Sequence, residues 1–225
     1  MITFEQIKQI PEINVYIQAG NDALAAIGFT DHGFAHVTLT AERASKILKD
    51  IYKKPTVSQK REIELVKIAG YLHDIGNMIN RTDHAISGAT VAFTLLSKLA
   101  MDPSEIALIC SAIGNHDEEW GKPVNNLTAA LILADKSDVR FTRVRNSMNL
   151  KALDIHDRVN FAVKSSEIKI DNRKKHITLS LEIDTNISPV MDYFEIFISR
   201  MIMCKRASEK FDMHFKLNIN GNEIL

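Results

Sequence analysis

Cysteine, tryptophan and proline are scarce in this chain, whose 225 residues include two cysteines, one tryptophan and five prolines. Cys110 and Cys204 are too few for the disulfide framework of a small secreted protein, and their apolar surroundings predict buried, reduced thiols. No stretch approaches the roughly 18 consecutive apolar residues of a membrane span. The N-terminus has an early Glu5 and lacks the apolar segment of a signal peptide. We therefore expect a cytoplasmic protein with no role in a membrane.

An excess of charge is also absent, because 28 Lys and Arg residues balance 28 Asp and Glu residues. Nonspecific nucleic-acid binding relies on a net basic face, so this balance makes nucleic acid an unlikely partner. The apolar fraction of 45% is typical of a globular protein. The length suits one large domain, or one domain with a small appendage.

Apolar residues recur at helical spacing through the first 150 residues, which predicts a mainly α domain over residues 1–150. Leu65, Ile68 and Leu72 lie on one stripe that ends at His73. Asp102 followed by Pro103 is a strong signal for a helix start, and Thr82 or Asp83 is a plausible cap for the helix before it. The last helix of the set is predicted over residues 125–147.

From about residue 157 the apolar period changes from 3.6 to 2, which predicts strands. The runs VNFAVKSSEIKI and HITLSLEI flank the turn DNRKK and so predict a β-hairpin. A helix over residues 188–211 and a strand over residues 213–219 are expected to follow. We predict that residues 151–225 form a small α+β segment that packs on the helical part or on a partner.

Histidines and aspartates concentrate in the helical part, and His73 and Asp74 are adjacent at the end of an apolar run. A metal site, a catalytic pair or a simple helix end would each explain this pair. Imidazole and carboxylate together suit Fe, Mn, Ni, Co or Zn without a thiolate, and the two oxygens of Asp74 can bridge two ions. We expect Gly76 to let the chain turn sharply away and leave the site open. The histidines concerned are His32, His36, His73, His84 and His116.

His32 and His36 are four residues apart and would share one helix face, as in the zinc-protease motif HExxH. Gly33 stands where that motif has its Glu, so the general base is missing. This excludes a zinc protease of that type.

The order His, His-Asp, Asp on a helical core resembles that of the HD-domain metal-dependent phosphohydrolases. His36 in FAHVTLTA corresponds to the first histidine, His73 and Asp74 to the doublet, and Asp135 in LILADKSD to the final aspartate. The resemblance extends over about residues 30–145. It implies an HD-domain helical bundle that holds a divalent transition metal at these four residues.

His84 and His116 resemble the extra histidines of HD domains that bind two metals, such as the HD-GYP proteins. The resemblance implies a second ion held by Asp74, His84 and His116, with Asp117 nearby, and therefore one or two ions of Fe, Mn, Ni, Co or Zn. WGKPVNN follows HDEE here instead of a Gly-Tyr-Pro motif, so cyclic dinucleotide hydrolysis is not implied.

The resemblance further implies that a metal-activated water cleaves a phosphomonoester or phosphodiester, such as a nucleotide or a small phosphorylated metabolite. The predicted catalytic residues are Asp74, His116, Asp117 and His32, and either His32 or Asp117 would protonate the leaving group. A non-catalytic metal-binding HD module in signalling or partner binding is the main alternative. A di-iron HD oxygenase would use the same ligands. The protein could also form a homodimer.

Three basic residues follow Asp135 at the helical spacing i, i+4, i+7, namely Lys136, Arg140 and Arg143. Guanidinium groups match phosphate oxygens geometrically, so we predict that these residues bind the substrate phosphate. The alternative is a solvated basic helix face. Asp138 and Glu118 would then pair with these side chains.

Overall fold

The computed structural model describes residues 1–145 and 154–225, and the first range is almost entirely helical. This confirms the mainly α prediction for that range. The predicted boundary between residues 150 and 151 lies outside the described residues. The helices are α1 Phe4–Lys8, α2 Pro11–Ala26, α3 Phe34–Tyr52, α4 Val57–Leu72, α5 His84–Lys98, α6 Pro103–Gly114 and α7 Asn126–Lys136, with 3-10 turns at Ile75–Met78 and Phe141–Arg143.

Local signals set some helix starts but not that of α5. The Asp102 side chain accepts a hydrogen bond from the amide of Ser104 and Pro103 opens α6, as predicted. Asp83 precedes α5 with a φ of 57° and makes no capping hydrogen bond through its side chain. The start of α5 at His84 therefore depends on contacts with the rest of the protein.

Helix α7 lies at the centre of the helical part and packs against α3, α4 and α6. Every residue from Leu127 to Ala134 is buried, as expected of a helix surrounded on all sides. The predicted stripe on α4 is also buried, with Leu65, Ile68 and Leu72 at most 2% exposed. Asp135 is thus presented at the end of a helix enclosed by the core.

The prediction that α7 continues to residue 147 is wrong, because the helix ends at Lys136. The chain then turns back, and Asp138 and Val139 are buried. Asp138 accepts a hydrogen bond from His36 on α3 and pairs with Arg143 five residues later, and the helical period could not reveal these contacts. Lys136, Arg140 and Arg143 therefore do not share a helix face.

The C-terminal segment contains the predicted hairpin, helix and strand in a four-stranded sheet of order β1-β2-β3-β4. Strands β1 and β2 are antiparallel, whereas β2 and β3 are parallel and are joined by the crossover helix α9. The first part of the predicted hairpin is helical instead, since Asp154 caps a short helix before β1. The elements are α8 Ile155–Ala162, β1 Val163–Asp171, β2 His176–Ile183, α9 Val190–Glu209, β3 His214–Ile219 and β4 Asn222–Glu223.

Helix α9 lies between the sheet and α7, so the C-terminal segment packs on the helical part of the same chain. Tyr193, Phe197 and Cys204 on α9 are at most 1% exposed and belong to the common core. Cys204 is buried as predicted, while Cys110 is only partly buried. No described helix is both long and apolar enough to span a membrane.

Gly76 permits a close approach between the 3-10 turn after Asp74 and the start of α5. A Cβ atom at Gly76 would lie 2.1 Å from the carbonyl oxygen of His84 and 2.5 Å from the amide nitrogen of Gly88. Gly76 lies in the 3-10 turn Ile75–Met78 with a φ that is not positive, so close packing and not a left-handed backbone conformation requires a glycine here. Its absence of a side chain instead lets His84 lie beside Asp74.

Replacing Gly76 by Ala should therefore destabilise the protein by about 3 kcal/mol or more, because backbone atoms of α5 must move to accommodate the methyl group. The free energy of unfolding measured by denaturant titration checks this. Gly114→Ala is the matched control, since a Cβ there meets only the Ala89 Cβ at 3.7 Å. Equal stabilities of the two variants would contradict the packing role of Gly76.

Candidate metal centre

Six imidazole and carboxylate side chains from five helix termini converge in one buried cluster. His36 lies in the first turn of α3, and His73 and Asp74 directly follow α4. The remaining three are His84 at the first residue of α5, His116 two residues after α6, and Asp135 at the penultimate residue of α7. The structure thus brings together all six side chains that the sequence predicts as metal ligands.

One half of the cluster contains His36, His73, Asp135 and the Oδ2 atom of Asp74. The Nε2 atoms of His36 and His73 are 3.2 Å apart. The His36 Nε2 atom lies 3.6 Å from Asp74 Oδ2 and 3.4 Å from Asp135 Oδ1. The His73 Nε2 atom lies 3.4 Å from Asp74 Oδ2 and 3.6 Å from Asp135 Oδ1. An ion about 2.1 Å from each ligand separates neighbouring ligand atoms by about 3.0–3.4 Å, so these spacings suit a shared cation.

The other half contains His84, His116 and the Oδ1 atom of Asp74. The Nε2 atoms of the two histidines are 3.2 Å apart and lie 3.5 and 3.9 Å from Asp74 Oδ1. Asp117 Oδ2 is 3.8 Å from the Nε2 atom of His84. Each carboxylate oxygen of Asp74 therefore faces a different histidine pair.

Hydrogen bonds at Nδ1 orient all four imidazoles. The Nδ1 atoms of His73, His84 and His116 each contact the carbonyl oxygen three residues earlier, at 2.8, 3.1 and 2.6 Å. Because a carbonyl only accepts, Nδ1 carries the proton, and in the neutral ring Nε2 keeps its lone pair. Lone pairs that face each other at 3.2 Å repel, so this donor set fits cations lying between them.

Asp138 and Asn77 support the ligands, and the sequence did not reveal either role. His36 Nδ1 donates to Asp138 Oδ2 at 2.7 Å, and Asp138 is 1% exposed. Asn77 Nδ2 donates to Asp74 Oδ1 at 3.0 Å and to the Asp74 carbonyl at 2.9 Å. Partners of this kind fix the orientation of metal ligands. The only sequence signal was proximity, since each stands three residues after a ligand.

The surroundings of the cluster favour ionised carboxylates but act differently on its imidazoles: burial acts to lower the pKa of His73, yet Asp74 and Asp135 outweigh burial and raise that pKa. Burial acts to raise the pKa of Asp74, but the neighbouring imidazoles, His73 foremost, bring that pKa well below its ordinary value. Burial opposes ionisation of Asp135 as well, and Lys136 outweighs it, so the pKa of Asp135 is also well below normal. Burial, followed by the charge of His73, depresses the pKa of His116. Ionised carboxylates and neutral imidazole are the ligand forms that metals require.

The three predicted phosphate-binding cations all have partners within the protein. Lys136 Nζ lies 2.8 Å from Asp135 Oδ2 and also pairs with Glu118. Arg140 pairs with Asp138. Arg143 is 4% exposed and donates to the carbonyl oxygens of Asp31 and Asp138 at 2.9 and 2.8 Å. These pairings with Asp138 and Glu118 match the alternative weighed from the sequence.

A chain of charges connects the metal centre to the C-terminal segment. Glu118 pairs with Lys136 and also accepts a hydrogen bond from Arg200 Nε on α9 at 3.1 Å. Burial acts to lower the pKa of Lys136, but Asp135 and Glu118 outweigh it and raise that pKa. Lys136 therefore stays charged, and α9 contributes to the position of Asp135 through Glu118.

His32 lies two residues before α3 and not on the helix, so it does not share a helix face with His36. Its Nδ1 contacts the carbonyl oxygen of Thr30 at 2.7 Å, and its ring centroid is 5.4 Å from that of His36. Burial, followed by the charge of Arg143, holds the pKa of His32 well below its ordinary value. His32 is therefore an uncharged imidazole beside the metal ligands.

Two cavities flank the cluster. The first, of about 290 Å³, lies between the segment before α3 and helices α8 and α9, and its lining includes His32, Phe197 and Arg200. The second, of about 300 Å³, is lined by His84, Asp117 and the exposed ring of Trp120, among others. We call them the α9 cavity and the Trp120 cavity; both are at the lower end of the size range of ligand pockets.

The helical core brings four imidazoles and two carboxylates together in one cluster, a set of side chains that could hold a metal ion. The family is the HD domain: its model matches residues 33–142, which include all six side chains of the cluster, and this part of the chain belongs to that family. "Uncharacterized protein MJ1020" of Methanocaldococcus jannaschii is 29% identical over 192 residues, covering 77% of this chain and 73% of that protein. A crystal structure described as a predicted HD superfamily hydrolase from an uncultured Thermotogales bacterium is 26% identical, with a TM-score of 0.43; the alignment covers 62% of this chain and 75% of that one.

Replacing Asp138 by Asn should weaken transition-metal binding by about 10- to 100-fold, because the His36 ring loses its charged hydrogen-bond acceptor. Metal titration monitored by calorimetry, at pH 7 and in the absence of chelators, measures this affinity. Asp102→Asn is the matched control, because Asp102 lies outside the cluster and an Asn at this position caps helix α6 equally well. Unchanged affinity in Asp138→Asn would show that Asp138 does not orient a metal ligand.

Proposed function

We propose that this protein is a phosphohydrolase that uses a pair of divalent transition metals. The observation that carries this function is the position of Asp74, whose two oxygens face two separate histidine pairs. His36, His73 and Asp135 would hold one ion with Asp74, and His84 and His116 the other. Asp117 lies next to the second position.

Two cations at such a site supply an activated water nucleophile and neutralise the charge of a phosphoryl group. The protein's own contribution is to hold the ligands in place and to limit access of bulk water. Asn77 and Asp138 fix the carboxylate of Asp74 and the ring of His36, so little reorganisation is needed on binding. The clustered ligands His36, His73, His84 and His116 are all at most 4% exposed.

Asp117 is the better placed of the two groups that the sequence suggests for proton transfer. Its carboxylate borders the Trp120 cavity and lies 3.8 Å from His84 Nε2. His32 is uncharged because of burial, which suits an acceptor of a hydrogen bond more than a donor of a proton. We therefore propose that Asp117 transfers a proton to the leaving oxygen and that His32 orients the substrate.

The substrate class follows from the size and charge of the cavities. Cavities of about 290 and 300 Å³ suit a compact ligand. The lining of the α9 cavity includes three arginines, Arg81, Arg143 and Arg200, and two acidic residues, Glu118 and Asp154, so its net positive charge suits an anion. A phosphomonoester or phosphodiester of nucleotide size or smaller meets both conditions.

Replacing Asp74 by Asn should remove most of the bound metal and reduce phosphoester hydrolysis on the order of a thousandfold, because the charge between the histidine pairs is lost. The protein is reconstituted separately with Mn, Fe, Ni, Co and Zn; elemental analysis gives the metal content and phosphate release gives the rate. Asp50→Asn is the control, since Asp50 pairs with Lys46 on the surface of α3. Hydrolysis at the wild-type rate by Asp74→Asn would refute the proposed function.

The pairing of the basic side chains with protein oxygens favours a second candidate function, that of a non-catalytic metal-binding HD module. Lys136, Arg140 and Arg143 are all engaged by protein oxygens, as expected if no phosphate binds there. Such a module binds metal and gains thermal stability from it, yet releases no phosphate from any ester in the screen. Metal content and phosphate release in the same samples thus separate the two functions.

A further inference from the structure

Most basic side chains around the metal centre are committed to partners in the protein. Lys136 lies between Asp135 and Glu118, and Arg200 donates to the same Glu118. Arg140 and Arg143 are held by Asp138 and by backbone carbonyls. Their charges are thus largely neutralised before any ligand arrives.

Arg81 differs from these residues because, within the described part of the chain, no carboxylate oxygen lies within 4.0 Å of its guanidinium. Its Nη1 is 3.5 Å from Asn77 Oδ1 and 3.4 Å from His84 Nε2, both at the outer limit of a hydrogen bond. The guanidinium carbon also lies 5.5 Å from the Phe29 ring centroid. Among the described residues, most of its five N–H donors therefore have no acceptor.

The position of Arg81 is fixed relative to the metal centre by its own backbone. The carbonyl oxygen of Arg81 accepts the Nδ1 proton of His84, while the side chain reaches the Nε2 side of the same ring. Arg81 also lines both the α9 cavity and the Trp120 cavity, so it borders both of the spaces that flank the cluster.

We propose that Arg81 is the phosphate-binding residue of this site, and that its guanidinium holds the non-bridging oxygens of a phosphoryl group lying against the metal centre. This inference rests on the proposed function. A partly buried guanidinium without a carboxylate partner is suited to bind two phosphate oxygens at once. Arg81 thereby takes the role that the sequence suggested for Lys136, Arg140 and Arg143.

The backbone contact of Arg81 makes this role separable from metal binding. A substitution at position 81 keeps the carbonyl that orients His84, so metal content should not change. Arg81→Gln removes both the positive charge and the paired N–H donors of the guanidinium, whereas Arg81→Lys keeps the charge but not the paired donors. Arg173→Gln is the matched control, since Arg173 lies exposed in the turn between β1 and β2.

The test compares these variants as metal-loaded full-length proteins. Calorimetry measures the affinity for inorganic phosphate, and kinetics with p-nitrophenyl phosphate give KM and kcat. We expect Arg81→Gln to lose about 10- to 100-fold in phosphate affinity, as for hydrogen bonds to a charged group, with a matching rise in KM. Arg81→Lys should recover part of this loss, and Arg173→Gln should match the wild type. Metal content and melting temperature should be equal in all four proteins.

Several results would overturn the inference about Arg81. They are an unchanged phosphate affinity in Arg81→Gln, a loss of metal in that variant, and an absence of phosphate binding by the wild type. The proposed function has a separate outcome. If the wild type binds phosphate through Arg81 but hydrolyses no ester, the anion site stands and hydrolysis is rejected.

Discussion

The arrangement of this site depends on one carboxylate, that of Asp74, placed between two pairs of imidazole nitrogens. Both histidine pairs have their Nε2 atoms 3.2 Å apart, and Asp74 presents one oxygen to each pair. Such a concentration of lone pairs in a buried place is unfavourable unless positive charge lies among them. The surrounding structure therefore has to hold these groups against their mutual repulsion, and the helix ends do so.

Helix termini are well suited to this task because their last carbonyl groups lack partners within the helix. The carbonyl of Gly70 in the last turn of α4 accepts from His73, and that of Ile113 in the last turn of α6 accepts from His116. Each bond satisfies a free backbone oxygen and at the same time orients a ring. The close approach at Gly76 then brings the start of α5, with His84, to the same place.

The C-terminal segment forms part of the site, although the family match ends at residue 142. Helix α9 packs on α7 and contributes Arg200, which donates to the same Glu118 that pairs with Lys136 beside Asp135. It also forms one wall of the cavity that contains His32. Variation in α9 is therefore expected to change the shape of this cavity without replacing any of the six side chains of the cluster.

The mainly helical composition, the hairpin, the following helix and strand, and the six side chains that meet in the cluster could all be predicted from the sequence. These features depend on local periodicity and on a pattern of residues along the chain. The three-dimensional structure was needed to establish where α7 ends, that β2 and β3 pair in parallel, and that Asp138 hydrogen-bonds His36 across 102 residues of sequence. It also showed that Lys136 and Arg140 beside the cluster pair with carboxylates, whereas Arg81 has no carboxylate oxygen within 4.0 Å among the described residues. The physical reason is that charge pairing and close packing depend on distances in space, which local periodicity does not record.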